Sequence, residues 1–148
     1  MIESTSVEQP FRLLLVEDEP ADVHLVRLAL RDCAVQVELT HVQDGSEALS
    51  WLQTPANHLP DLMLVDLNMP RLGGLELIGC MRDRAEFSAI PIVIITTSSA
   101  APDIKASEAL GIETYLVKPL NAEAYMANLR ATIEGSAARR PSSEDNAY

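Results

Sequence analysis

Residues 60–74 read Pro60-Asp-Leu-Met-Leu-Val-Asp-Leu-Asn-Met-Pro-Arg-Leu-Gly-Gly74. The apolar run Leu62–Val65 is continuous, which is typical of a parallel strand covered on both faces. Asp66 follows directly, and the Asn, Pro and Gly residues after it predict a loop. A carboxylate at the carboxyl end of a central parallel strand lies where open α/β sheets bind their ligands. We therefore take Asp66 as the candidate reactive group.

The rest of the chain alternates apolar strands with helices. Strands are predicted at Phe11–Val16, Val35–Val42, Leu62–Val65, Pro91–Thr96 and Glu113–Val117. Helices are predicted at Pro20–Cys33, Ser46–Gln53, Gly74–Arg84 and Pro102–Leu110, the last closed by Gly111, and from a cap at Asn121 to about Glu134. Five β-α repeats predict an α/β fold, a doubly wound parallel five-stranded sheet with strand order 2-1-3-4-5.

The chain divides into one domain and two polar ends. Its 148 residues suit a single domain with a proper core. Residues 1–10 are expected to form a flexible N-terminal arm and residues 11–134 the domain. Residues 135–148 are rich in Ser, Ala, Arg, Pro and acids, and are expected to form a disordered tail. Such a tail is too short for an output domain, so we expect a stand-alone module.

The composition excludes several classes of function. The net charge of −11 argues against direct binding to nucleic acid or to an anionic membrane, and favours a cation or a basic protein partner. No apolar run approaches membrane-spanning length, and the N-terminus is too polar for a signal peptide. Cys33 and Cys80 fall in predicted helices without metal-type spacing, so we expect reduced thiols and a cytoplasmic protein.

Chemically useful side chains gather where the predicted strands end. They are Glu17 and Asp18 after the first strand, Asp66 after the third, Thr96 at the end of the fourth and Lys118 after the fifth. The strand order makes the first and third strands neighbours, and their crowded carboxylates would repel unless a cation joins them. Mg²⁺ suits such oxygen ligands beside a phosphate. Asp66 is then placed to attack phosphorus and form an acyl phosphate, with Lys118 as a second positive charge.

This set of residues resembles the receiver domain of two-component response regulators. The features that match are the pair Glu17-Asp18, Asp66 with Pro70 and Gly74 after it, Thr96, and Lys118-Pro119, over about residues 11–134. The resemblance implies a flavodoxin-like fold and a phosphoryl group taken by Asp66 from a sensor histidine kinase. It also implies that Asp18 binds Mg²⁺ directly, that Glu17 acts through water, and that the backbone carbonyl of Asn68 completes the metal site.

The resemblance also assigns roles in signalling. Thr96 would bond the phosphoryl oxygen, Lys118 would pair with it, and the rotamer of Tyr115 would report the phosphorylated state. The output surface would comprise the fourth helix, fifth strand and fifth helix, which would bind a downstream protein, a histidine phosphotransfer protein or a second copy in a homodimer. The runs Asp66–Gly74 and Ile95–Ser98 are similar to small regulators paired with bacterial phytochromes, which implies a bacteriophytochrome as the kinase.

Three alternatives remain open. A Mg²⁺-dependent phosphatase with an aspartyl-phosphate would carry a second aspartate two residues after Asp66, where Asn68 stands; we therefore expect a phosphoacceptor and not a turnover enzyme. A flavodoxin-like cofactor binder would need a Ser-, Thr- or Gly-rich loop after the first strand, where Glu17-Asp18-Glu19 would repel a phosphate. The third alternative is a receiver-fold scaffold that is not phosphorylated.

Overall fold

The computed structural model describes residues 9–67, 69, 72–97, 101–112, 114–118 and 121–140, with the backbone alone for 101–104. Its strands are β1 (Phe11–Val16), β2 (Val37–Val42), β3 (Leu62–Asp66), β4 (Ile92–Thr96) and β5 (Thr114–Val117). Its helices are α1 (Pro20–Arg31), α2 (Gly45–Gln53), α3 (Gly74–Arg82), α4 (Ala101–Ala109) and α5 (Ala122–Arg139). Every predicted element is present, in the predicted order.

The five strands form one parallel sheet in the order β2-β1-β3-β4-β5, which confirms the predicted fold class and strand order. β1 and β3 are neighbours, with Val16 paired to Val65. The residues that follow this pair, Glu17 and Asp66, therefore lie at the same edge of the sheet. Strand order alone brings two distant acids together there.

Helices cover both faces of the sheet, which explains why β3 is apolar throughout. Leu62 and Leu64 belong to the apolar layer that β1 and β3 share with α1 and α5. Met63 and Val65 belong to the opposite layer, under α2 and α3. All four side chains are buried, and full burial of such a side chain favours folding by about 1.5–3 kcal/mol. The central strand is thus anchored from both sides, and it holds Asp66 at its end.

Two predicted helix ends are confirmed in their chemistry. The side chain of Asn121 accepts hydrogen bonds from the backbone N–H groups of Glu123 and Ala124 at the start of α5. Gly111 follows α4 with a φ of +79°, a conformation that residues with a Cβ rarely adopt. The other predicted bounds agree with the structure or shift by one or two residues, apart from the end of α5. For example, α1 ends at Arg31 because the next N–H groups bond carbonyls three residues back.

The predicted end of the fifth helix is wrong, because α5 continues beyond Glu134 to Arg139. Ile133 and Ala137 pack on the layer that α5 shares with β1. Arg140 then ends the helix and donates from its guanidinium to Asp61 Oδ2 at 3.1 Å and to the carbonyl oxygens of Gln9 and Pro10. Residues 135–139, assigned to a disordered tail, are therefore helical. Residues 1–8 and 141–148 lie outside the described part of the chain.

Two glycines allow the loop after β3 to lie close against its neighbours. A Cβ on Gly74 would stand 2.5 Å from the carbonyl oxygen of Asp66, and one on Gly45 would stand 2.6 Å from that of Leu72. Both distances are shorter than a carbon–oxygen contact permits, and both neighbours are backbone atoms. The N–H of Gly45 also donates to the Leu72 carbonyl at 3.1 Å. The backbone at Asp66 therefore depends on a residue without a Cβ at position 74.

We expect Gly74→Ala to lower the free energy of unfolding by about 1–3 kcal/mol, because the new methyl group must displace the backbone of Asp66. Gly79→Ala is the matched control, since Gly79 lies in the same helix and a Cβ there meets nothing within 4 Å among the described residues. That variant should raise the free energy of unfolding by about 0.5–1 kcal/mol through helix propensity. Urea denaturation followed by circular dichroism measures both. Equal effects of the two substitutions would contradict the close contact.

Candidate functional site

Three carboxylates meet at the carboxyl ends of β1 and β3. Glu17 and Asp18 directly follow β1, and Asp66 is the last residue of β3. One oxygen from each lies within 4.8 Å of the others. Glu17 and Asp66 are buried, whereas Asp18 is exposed. The cluster is therefore shielded from water at Glu17 and Asp66 and open to water at Asp18.

Lys118 extends from the end of β5 into this cluster. Its Nζ donates hydrogen bonds to Glu17 Oε1 at 2.8 Å and to Asp22 Oδ2 at 2.7 Å. The same nitrogen lies 3.7 Å from Asp66 Oδ2, which is an ion pair without hydrogen-bond contact. The lysine side chain is 8% exposed. The nearly buried ammonium thus donates hydrogen bonds to two carboxylates and forms a longer ion pair with a third, Asp66.

The protonation of this cluster follows from burial and charge. The pKa of Glu17 is raised to about 7, chiefly by burial and then by the neighbouring Asp66 carboxylate, and Lys118 opposes this shift. Burial lowers the pKa of Lys118, but its hydrogen bonds to Asp22 and Glu17 outweigh that loss, so the net shift is upward. Lys118 is therefore a permanent cation near neutral pH, and Glu17 is the group that takes up or releases a proton.

Glu17 is fixed at both its backbone and its side chain. Its carbonyl oxygen accepts a hydrogen bond from His41 Nε2 at 2.7 Å, so that nitrogen carries the proton. Its Oε2 accepts from the backbone N–H of Glu19 at 3.2 Å. The side chain of Glu19 is exposed and caps α1 by accepting from the N–H of Ala21. Glu19 thus shapes the loop but does not join the carboxylate cluster.

Asp22 is a residue of this site to which the sequence analysis assigned no role. It lies in the first turn of α1, one helical turn after Asp18. An acid there is expected from the helix dipole alone, so the composition of that turn does not distinguish it. Its 2.7 Å contact with Lys118 is visible only in three dimensions.

The other residues assigned by sequence lie at differing distances from the cluster. Thr96 is fully buried at the end of β4, and its carbonyl oxygen accepts from the backbone N–H of Lys118 at 2.7 Å. Tyr115 is half-buried on β5, pairs with Ile94, and packs on the apolar layer under α2 and α3. Asn68 lies outside the described residues. The sheet edge therefore carries Thr96 beside Lys118, whereas Tyr115 lies three residues back along β5.

The donor set fits a hard divalent cation. Three carboxylates lie within 3.7 Å of the Lys118 ammonium, and Asp18 lies beside two of them, so the cluster has excess negative charge even when Glu17 is protonated. Carboxylate oxygens are the ligands that Mg²⁺ and Mn²⁺ prefer, and such ions keep several waters. The exposed side at Asp18 provides room for those waters. An ion bound there would offset the burial and the Asp66 charge that together raise the pKa of Glu17.

Comparisons with known proteins agree with this geometry. A family model described as the response regulator receiver domain matches residues 13–130. Response regulator Rcp1 of Synechocystis sp. is 35% identical over 116 residues, which are 76% of this chain and 79% of that protein.

Solved structures of the same kind superpose closely on the chain. The structure of the phosphorylated cyanobacterial phytochrome response regulator RcpA has a TM-score of 0.84 and 29% identity, over 90% of this chain and 99% of that one. The Mn²⁺-bound form of response regulator Rcp1 has a TM-score of 0.83 and 30% identity, with the same coverage. Glu17, Asp18 and Asp66 form an acidic cluster that could hold a metal ion, and the related Rcp1 structure contains bound Mn²⁺. The chain belongs to the response regulator receiver domain family of two-component signalling.

Proposed function

We propose that Asp66 accepts a phosphoryl group from the phosphohistidine of a sensor histidine kinase, with Mg²⁺ bound at the carboxylate cluster. The observation that carries the proposal is the placement of Asp66. It ends the central strand, within 4.8 Å of the Glu17 and Asp18 oxygens and 3.7 Å from the Lys118 ammonium. An attacking carboxylate beside a cation site and a fixed lysine is the arrangement that phosphoryl transfer requires.

The transfer itself is a single displacement. A carboxylate oxygen of Asp66 attacks phosphorus, the P–N bond breaks, and its electron pair stays with the imidazole of the donor, which leaves an acyl phosphate on Asp66. The bound Mg²⁺ supplies positive charge to the phosphoryl oxygens. We assign Asp18 as its direct ligand, Glu17 as a ligand through water, and the Asn68 carbonyl as a further ligand.

The protein's own groups then stabilise the product and transmit its presence. We assign Lys118 and the Thr96 hydroxyl to the phosphoryl oxygens, and Tyr115 to the change that a partner reads. A receiver of this kind is a phosphoacceptor in signalling and not a classical turnover enzyme. That sets aside the phosphatase alternative, in agreement with the Asn at position 68.

We infer the partners from the proposed output surface and from the similarity to phytochrome response regulators. The output surface we propose is α4, β5 and α5, where Val117 is 42% exposed. It would bind a downstream protein, a histidine phosphotransfer protein, or a second copy in a homodimer. RcpA is a phytochrome response regulator, which supports a bacteriophytochrome as the donor kinase. The net charge of −11 opposes a nucleic-acid partner.

A cytoplasmic location is part of the same proposal. Within the part of the chain that the structure describes, no helix is both long and apolar enough to span a bilayer. Cys33 and Cys80 are both unpaired, as expected where thiols stay reduced. A cytoplasmic receiver would meet the kinase domain of its sensor directly.

Incubation with Mg²⁺ and acetyl phosphate should add the mass of one phosphoryl group to the wild-type protein and none to Asp66→Asn, measured by intact mass spectrometry. Asp83→Asn is the matched control, because Asp83 is an exposed acid at the end of α3, and it should label like the wild type. Chelator added beforehand should abolish the gain. A gain in Asp66→Asn would place the phosphate elsewhere. No gain in any variant would favour the non-phosphorylated scaffold.

Magnesium affinity should depend on pH through Glu17. Its pKa of about 7 in the folded protein exceeds the usual glutamate value of 4.5, so between these two values the metal-free site binds a proton that the cation must displace. The dissociation constant for Mg²⁺, measured by calorimetry, should be about tenfold larger at pH 6 than at pH 8. Glu17→Gln should remove most of this dependence. A wild-type affinity that is constant over this range would contradict the assignment of Glu17.

The same pKa shift fixes the sign of a stability effect. Since the pKa of Glu17 is raised on folding, its contribution to the stability of the metal-free protein is fully present below about pH 4.5 and is lost as pH rises through about 7. Above that pH the buried carboxylate is charged and opposes folding. Added Mg²⁺ should therefore raise the melting temperature more at pH 8 than at pH 6.

A further inference from the structure

We propose that Asp22 is a positioning residue, which holds the Lys118 ammonium away from Asp66 until a phosphoryl group draws it across. This inference rests on the proposed phosphorylation of Asp66. Lys118 Nζ lies 2.7 Å from Asp22 Oδ2 but 3.7 Å from Asp66 Oδ2. The lysine assigned to the phosphoryl group is therefore bonded, in this state, to a carboxylate of α1 that has no part in the transfer. Binding of a phosphoryl group must compete with that bond.

The hydrogen bonds of Lys118 to Glu17 and to Asp22 differ in how much free energy it costs to break them. Glu17 is fully buried, so loss of the ammonium would strand its carboxylate without water. The Asp22 side chain is 24% exposed, so water can take over the vacated oxygen at small cost. When Lys118 shifts, the bond to Asp22 is consequently the one that breaks, and the bond to Glu17 is the one that persists.

The backbone of Asp22 is held in place, so it does not move when Lys118 shifts. Its backbone N–H donates to the carbonyl of Glu19 at 3.1 Å within the first turn of α1. That helix is anchored by Val23 and Val26, which are buried against the sheet and α5. The positive end of the helix dipole favours a carboxylate at this position whether or not the lysine is bonded. The backbone of Asp22 is thus held in α1, and Lys118, with its longer and more flexible side chain, is the more mobile member of the pair.

The consequence is a coupling between Asp22 and the phosphoryl group. Both bind the same ammonium, so the free energy of the Asp22–Lys118 bond is subtracted from the free energy of phosphoryl binding. Loss of the Asp22 carboxylate frees the lysine in advance. A phosphoryl group, or a mimic of it, should then bind more tightly, although the contact that the described residues show for the Asp22 side chain is with Lys118.

The test is the affinity for beryllium trifluoride, a phosphoryl mimic, in the presence of Mg²⁺. Asp22→Asn should bind it about tenfold more tightly than the wild type, the scale of a partly exposed ion pair with good geometry. Asp22→Glu should stay near the wild-type value, because it restores a carboxylate partner. The matched control is Glu19→Gln, which removes one charge from the same loop without touching Lys118 and should change the dissociation constant less than about twofold.

A spectroscopic readout shows whether the effect runs through the lysine. The chain has two lysines, Lys105 and Lys118, so labelling of the lysine side-chain nitrogen gives two signals. In the wild type, the mimic should shift the Lys118 signal and leave Lys105 unchanged. Asp22→Asn should move the Lys118 signal before any mimic is added. In a Lys118→Met background, Asp22→Asn should no longer alter the affinity, measured at raised mimic concentrations.

The outcomes separate this inference from the proposed function. If the wild type binds the mimic, Asp66→Asn does not, and Asp22→Asn equals the wild type, Asp22 has no positioning role and the phosphoacceptor assignment stands. A gain in affinity that persists in Lys118→Met would show general charge repulsion and also overturns the inference. If the wild type and Asp66→Asn bind equally or not at all, the proposed function itself fails. Asp22→Ser replaces Asp22→Asn should the latter not fold, as checked by circular dichroism.

Discussion

The Lys118 ammonium is the one cation that this group of carboxylates has within the described part of the chain, and the geometry of the site depends on it. A parallel sheet brings the residues at its strand ends together whatever their charge, so the fold itself creates the repulsion between Glu17 and Asp66. Lys118 offsets part of it. The negative charge that remains is one that a divalent cation can neutralise. This excess charge suits the strand ends to binding a cation.

The layer formed by α1 and α5 connects this site to the rest of the molecule. Asp22 stands on α1, and Lys118 lies shortly before α5 in the chain. Tyr125 of α5 is buried in the same layer, and burial raises the pKa of its phenol, so it stays protonated. Its hydroxyl has no hydrogen-bond partner among the described residues. The charges of Lys118 and Asp22 both act on the Tyr125 phenol, so a shift of Lys118 away from Asp22 would change the electrostatic surroundings of a buried α5 side chain.

The sequence was sufficient to predict the fold and the members of the strand-end cluster, because both depend on patterns along the chain. Continuous apolar runs located the strands, and the strand order brought Glu17 to Asp66. Asp22 was missed because an acid in the first helical turn is favourable on its own and needs no tertiary partner. The end of α5 was misplaced because Ser-, Ala- and Arg-rich residues resemble a solvated tail, whereas Ile133, Ala137 and Arg140 give it a packed and hydrogen-bonded end.

Three positively charged species can compete for the carboxylate oxygens of this site. A proton binds Glu17 with a pKa of about 7, the Lys118 ammonium bonds Glu17 and Asp22, and a divalent cation fits among Glu17, Asp18 and Asp66. Each lowers the affinity of the others for the carboxylates they share, by the reciprocity of linked equilibria. A phosphoryl group on Asp66, as we propose, would add negative charge and so would favour both the metal and a closer lysine. The proposed response to one added group would depend on the excess negative charge that the site already carries.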